Sequence, residues 1–134
     1  MPFYSWSEII KDTEENETLP AGMTRRGVRM GNVMFGLHES GKDIAGKDAP
    51  KKPRSHSHES AQITYVFEGR VRMRVGDEEK ELGPGEFAYI PSWVEHGGES
   101  LTDYVLALDI WNPPRPDVEQ RLQDLEARSG KSGS

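Results

Sequence analysis

Cysteine is missing from all 134 residues of this sequence. Disulfide bonds and thiolate metal sites are thereby excluded, and a cysteine-free chain suits a reducing compartment, so a cytoplasmic location is expected. Long apolar runs are missing too. Nothing approaches the roughly 20 residues of a membrane-crossing helix, so no membrane partner is expected. The opening MPFYSWSEIIKD has no basic segment leading into an apolar core and does not read as a secretory signal. Positive charge is in short supply: 17 Lys and Arg stand against 23 Asp and Glu, for a net charge of -6. The basic residues are scattered, which argues against a nucleic-acid partner. Histidine is scarce as well, with four in the chain, yet two of the four are set two residues apart.

What the sequence has in quantity is turn chemistry. Its 14 glycines and 9 prolines predict short strands joined by tight turns rather than a helical bundle. A short helix is expected over 5–12, where Ser5 and Glu8 have capping-box spacing and Trp6, Ile9 and Ile10 give an apolar side. Arg25 to His38 reads as one or two strands broken at Gly31-Asn32. Glu39 to Pro53 is a charged loop, of a length that often overlies a functional site. Strands follow at 61–67, 70–75, 79–82, 86–90 and 104–111, with good turn residues between the first four. Residues 117–128 look helical, with Val118, Leu122 and Leu125 on one face. The tail, 129–134, is expected to be disordered. The length suits one domain, placed at 1–128 with its barrel core at about 25–112. The expected class is all-β, an antiparallel sandwich or small barrel with short N-terminal and C-terminal helices.

The stretch RSHSHESAQITYVFEG carries the chemistry. On a strand, residues i and i+2 share a face, roughly 6.6 Å apart, so His56 and His58 can converge on one ion. Gln62 has the same parity and reaches the site if the chain bends at Glu59-Ser60. His96, in PSWVEHGG, supplies a third imidazole. Three imidazoles and one oxygen make an open site suited to a divalent transition metal. With Gln62 inward, Thr64 and Val66 also face inward, and Ile63, Tyr65 and Phe67 form an outward apolar row. That row predicts a homodimer. Arg70, Arg72 and Arg74 alternate outward as a solvated stripe or interface rim. Arg54 has the parity of the two histidines and is placed at the pocket mouth.

These residues resemble the cupin family. The family's first motif is Gly, His-x-His, three or four residues, Glu, six residues, Gly. Here His56-Ser57-His58 is followed after three residues by Gln62 and after six more by Gly69. The second motif is Gly, five residues, Pro-x-Gly-x-x-His. Here Gly85 is followed after five residues by Pro91, with Trp93 and His96 at the later positions. Gln62 stands where Glu is usual, Trp93 where the turn glycine would be, and the glycine before the first histidine is not in its place. The resemblance implies the double-stranded β-helix, or jelly-roll barrel. It also implies one divalent transition metal ion (zinc, nickel, iron or manganese) on His56, His58, Gln62 and His96. A neutral glutamine in place of glutamate leaves the ion its full positive charge, which favours Lewis-acid chemistry over oxygen activation.

The segment YVLALDIWNPPRPD is the second informative stretch. Alternation puts Leu106, Leu108 and Ile110 on one face, packed between sheets or at an interface. Val105, Ala107, Asp109 and Trp111 take the other, as pocket lining. An aspartate there needs a partner. It serves either as an acid or base beside the substrate or in an ion pair with Arg115. Asp109, Trp111, Pro113 and Arg115, together with the His, His, Gln, His set, resemble a subgroup of small single-domain cupins. These open the ring of 4,5-unsaturated uronates from pectin and alginate breakdown. The resemblance implies Asp109 for proton transfer, Trp111 against the sugar and Arg115 for a carboxylate. The site also resembles that of zinc-containing polyketide cyclases, in which His38 would be a fifth ligand; the plainer reading makes it a polar residue at a strand end.

The sequence is thus read as a metal-dependent enzyme of lyase, isomerase or hydrolase type. Its substrate is small, oxygen-rich and anionic, and its best-fitting reaction is ring opening or tautomerisation of an unsaturated sugar acid. The alternatives are a quercetinase-like dioxygenase, a polyketide-type cyclase, and a ligand-binding protein without turnover.

Overall fold

A computed structural model describes residues 2–46 and 55–129. The helix expected over 5–12 does not form. Trp6–Glu8 is a single 3-10 turn, and Ser5 hydrogen-bonds Ser7 (2.9 Å) instead of capping a helix. The chain then enters strand β1 (Lys11–Asp12), which pairs with Arg26 and Arg25 of β2 (Thr24–Met30). Long-range pairing has overridden the local capping signal. The segment read as one or two strands broken at Gly31-Asn32 is two strands, β2 and β3 (Val33–Ser40), paired as a hairpin. Of the segment expected as a loop, Glu39 and Ser40 end β3, Lys42–Ala45 forms a short helix, α1, and residues 47–53 lie outside the described residues.

Six strands follow: β4 (Ala61–Glu68), β5 (Val71–Val75), β6 (Glu78–Leu82), β7 (Phe87–Ile90), β8 (His96–Ser100) and β9 (Val105–Asn112). All but β8 begin and end within one residue of expectation. β8 reads HGGES, which has no β-branched or aromatic residue. It is a strand because it pairs with β5, Val71 to Val75 lying opposite Ser100 to His96. The strands make a six-stranded antiparallel sheet in the order β1-β2-β3-β9-β4-β7 and a three-stranded sheet in the order β6-β5-β8. The two sheets enclose a jelly-roll core.

Alternation along β4 and β9 decides what faces that core. Val66, Val105 and Ala107 are fully buried and pack with Val71, Met73, Leu82 and Ile90. Each large side chain so buried stabilises the fold by about 1.5–3 kcal/mol. Leu106, Leu108 and Ile110 are half-buried on the outer face of the sheet, so they do not fill the space between the sheets. Helix α2 (Pro116–Ser129) covers one end of the barrel. Its Val118 packs on Met34 and Trp111, and Leu122 seats on Gly27, where any Cβ would lie 3.0 Å from Leu122 Cδ2. The residues 130–134 of the tail lie outside the described residues. Among the described residues no helix is long and apolar enough to cross a membrane.

Candidate metal centre and its cavity

His56 and His58 do not sit on a regular strand. They lie on an extended segment held by one antiparallel bridge, in which the backbones of His56 and His96 exchange both hydrogen bonds at 2.9 Å. The backbone N–H of Trp93 donates to the carbonyl of His58 (2.8 Å), fixing the same segment again. Trp93 adopts a φ of 64°, the left-handed conformation that the absent turn glycine would take without strain. After His58 the chain bends at Glu59-Ser60, which brings Gln62 back toward the histidines. Side-chain nitrogens of His56, His58 and His96 all lie within 4.8 Å of one another.

The tautomers follow from the partners. Nδ1 of His58 faces the Ser60 carbonyl (2.8 Å) and Nδ1 of His96 faces the Val94 carbonyl (2.9 Å). A carbonyl can only accept, so both Nδ1 atoms carry the proton and both Nε2 atoms present lone pairs. Nε2 of His96 is buried with no hydrogen-bond partner among the described residues. Nε2 of His58 faces Gln62 Oε1 at 3.0 Å, so two acceptors meet without a hydrogen between them. That contact is unfavourable by itself and would be relieved by a cation, which these two atoms could help to hold. Burial, reinforced by His96 and Arg115, pushes His56 down to about 4. His58 and His96 are lowered as well, again chiefly by burial. All three rings are therefore neutral near pH 7, the form in which imidazole can bind a metal ion.

Gln62 is held in one orientation. Its Oε1 accepts the indole N–H of Trp111 (2.7 Å), while its Nε2 donates to Thr64 Oγ1 (2.9 Å) and Asp109 Oδ1 (3.3 Å). Reversing the amide would set its oxygen against the Asp109 carboxylate and its N–H groups against the indole. The carbonyl oxygen is thus the atom turned to the histidines. Trp111, 2% exposed, reaches Gln62 because it crosses Gly36, where a Cβ would lie 2.7 Å from the indole. The donor set of three imidazoles and one amide oxygen fits a divalent transition metal.

Asp109 is the acid of the cavity wall. Its partner is not Arg115: Thr64 Oγ1 donates to Oδ1 (2.7 Å), and His38 Nε2 stands 3.3 Å from Oδ2. Burial pushes its carboxyl up, but His38, Thr64 and Arg115 together hold it below the usual carboxylate range. Asp109 is therefore ionised at neutral pH. His38 belongs to this dyad and is not grouped with the three clustered histidines. Arg115 pairs instead with Asp117 through Nε (3.2 Å) and Nη2 (2.8 Å), and lies 5.3 Å from the Trp111 ring centroid.

A cavity of about 150 Å³ joins His56, His96, Gln62, Asp109, Trp111 and Arg115. It also takes in His38, Thr64 and Arg25. Arg54, expected at its mouth, lies outside the described residues. Sequence reasoning passed over Arg25. A signal for it was present: counting back from a two-residue turn at Gly31-Asn32 sets Arg25 opposite His38, which is the register found.

The family model for the cupin domain matches residues 46–111. H2HPP isomerase of Bacillus subtilis is 42% identical over 57 residues, amounting to 41% of this chain and 24% of that protein. The chain thus spans about a quarter of that relative's length. An RmlC-like cupin from Shewanella frigidimarina superposes with a TM-score of 0.70 at 22% identity, over 88% of this chain and 96% of the other. KdgF from Halomonas sp. superposes with a TM-score of 0.62 at 25% identity, over 72% of this chain and 84% of the other.

Proposed function

The chain is a small protein of the cupin superfamily, and on that premise we propose that it is a metal-dependent enzyme performing non-redox ring opening or tautomerisation on a small unsaturated sugar acid. His56, His58, Gln62 and His96 would hold one divalent transition metal ion: zinc, nickel, iron or manganese. Bound by four neutral ligands, such an ion keeps its charge and polarises a substrate hydroxyl or carbonyl oxygen.

The observation that carries this reading is Asp109, an ionised carboxylate fixed by Thr64 and His38 on the wall of the cavity the histidines share. In a 4,5-unsaturated uronate, Asp109 Oδ2 takes the proton of the anomeric hydroxyl. The ring C–O bond breaks and its electron pair stays on the ring oxygen, leaving an aldehyde and an enolate. Return of the proton to the carbon end of that double bond gives a ketone. Reactant and product are isomers, so no oxidant enters. His38 steadies the carboxylate as its protonation changes. Trp111 forms a wall and orients Gln62, and Arg115 and Arg54 are proposed substrate contacts. The likeness to KdgF and, over part of its length, to H2HPP isomerase supports this class of reaction.

The test is to incubate the metal-loaded protein with 4,5-unsaturated galacturonate. The ultraviolet absorbance of the conjugated double bond should decay without oxygen uptake, and Asp109→Asn should slow the decay by about 10²–10⁴-fold. Oxygen uptake during turnover would favour a dioxygenase, and an unchanged absorbance would remove the ring-opening reading.

A further inference from the structure

Arg25 lies on the inner face of β2, is 4% exposed and lines the same cavity as the histidines. A buried guanidinium is costly unless its N–H groups find acceptors. Those it has are neutral and come from one residue: Nη1 donates to the Thr18 carbonyl (2.9 Å) and Nη2 to Thr18 Oγ1 (2.8 Å). Its Nε is buried with no partner among the described residues. Asp12 stands 3.9 Å from Nη2, beyond hydrogen-bonding distance. Both Asp12 oxygens are already taken by Arg121, Asn16 and the backbone N–H of Glu14. Arg115 is in the opposite condition, since its fork is closed by Asp117.

Placement agrees. Arg25 lies opposite His38 on β3, which lies opposite Ala107 on β9, two residues from Asp109. Two strand spacings put the Arg25 backbone roughly 10 Å from β9. With its long side chain, Arg25 lines the cavity together with Asp109, so one small molecule could meet both.

We propose that Arg25 is the anion-recognition residue of this cavity, receiving a carboxylate of the substrate on N–H groups that no carboxylate of the fold hydrogen-bonds. The inference rests on the sugar-acid reading for the rest of the site, and moves carboxylate recognition from Arg115 to Arg25.

Calorimetric titration with D-galacturonate, with D-galactose as the neutral control, tests it on zinc-loaded wild type, Arg25→Gln, Arg25→Lys and Arg115→Gln. Wild type should bind galacturonate in preference to galactose. Arg25→Gln should weaken galacturonate about ten- to a hundredfold, and Arg115→Gln should weaken it less. The ranking should persist after zinc is removed, since a carboxylate held only by the ion would then be lost. Arg25→Lys keeps the charge, and thermal unfolding verifies that it folds. It should still weaken galacturonate severalfold, because an ammonium does not offer the guanidinium fork. If wild type fails to prefer galacturonate, or folded Arg25 variants bind it as wild type does, the proposal is overturned. Loss of galacturonate binding in the Arg25 variants, without turnover of the unsaturated uronate, keeps Arg25 and removes the ring-opening reading. Turnover with unaltered binding in those variants does the reverse.

Discussion

Gln62 contacts Trp111, Thr64 and Asp109 through one amide, and the Nε2 of His58 faces its oxygen. A glutamate there would lose both donated hydrogen bonds and place a second carboxylate against Asp109. In the metal-free protein, Gln62→Glu should therefore cost about 1–3 kcal/mol of stability. In the metal-loaded protein the cost should shrink, because the ion attracts the new charge, while turnover falls with the weaker Lewis acid. Urea unfolding with and without zinc checks the first part, and equal stability of the two metal-free proteins would contradict the contacts described. At this scale the sequence was informative where spacing constrains geometry. His-x-His was legible because alternation along an extended segment sets i and i+2 on one side, Gln62 because its parity matched once the chain bends, and His96 because it completes the second motif. The partner of Asp109 was not legible. It depends on which side chain reaches across from β3, and Arg115, nearer in sequence, was already drawn to Asp117.

Strand β1 and helix α2 are distant in sequence and joined by a buried ion pair. Asp12 is 0% exposed and accepts from Arg121 Nε (2.9 Å) and Nη2 (3.0 Å). Burial pushes its carboxyl up, but the bonds from Arg121 and the backbone of Glu14 hold it below its ordinary value of 3.8. A carboxyl depressed in the folded state stabilises the fold fully above its unfolded value, and that stability is lost as the pH falls through the folded value. Urea midpoints measured between about pH 6 and pH 3 should thus fall more steeply for wild type than for Asp12→Asn. Equal slopes would show that Asp12 does not couple folding to protons. At neutral pH, Arg121→Ala should cost about 3–5 kcal/mol, since it strands a buried carboxylate. Periodicity made α2 and most strands readable. It failed for β1, where the capping signal at Ser5 and Glu8 was local and the deciding pairing was not.

The barrel presents two unlike outer faces. On the three-stranded sheet, Arg70 meets Glu81 (3.3 Å), and Arg72 meets Glu99 (3.4 Å) and Glu79 (4.0 Å), all in solvent. Such exposed pairs suit a wetted surface and add little stability. On the six-stranded sheet, the register lines up Tyr89, Ile63, Ile110 and Phe35 in one row and Phe87, Tyr65, Leu108 and Leu37 in the next. Phe87 and Tyr89 are 63% and 62% exposed, and Tyr65 stacks on Phe87 with centroids 5.6 Å apart. We propose that a second copy covers this face. Across β7, β4, β9 and β3 both rows are apolar, with Arg26 of β2 following Leu37; such a face suits its own two-fold image, and the charged sheet does not. Sedimentation at micromolar concentration should give the dimer mass, and Phe87→Glu should give the monomer; a monomeric wild type would contradict the proposal.

The proposed reaction depends on the histidines of the cavity holding an ion. The direct measurement is elemental analysis of protein purified without a metal-affinity step, beside His96→Ala. The account predicts close to one equivalent of a transition metal in wild type and its loss in the variant. Wild type that carries no metal, and takes up none when zinc, nickel, iron or manganese is added back, would contradict it.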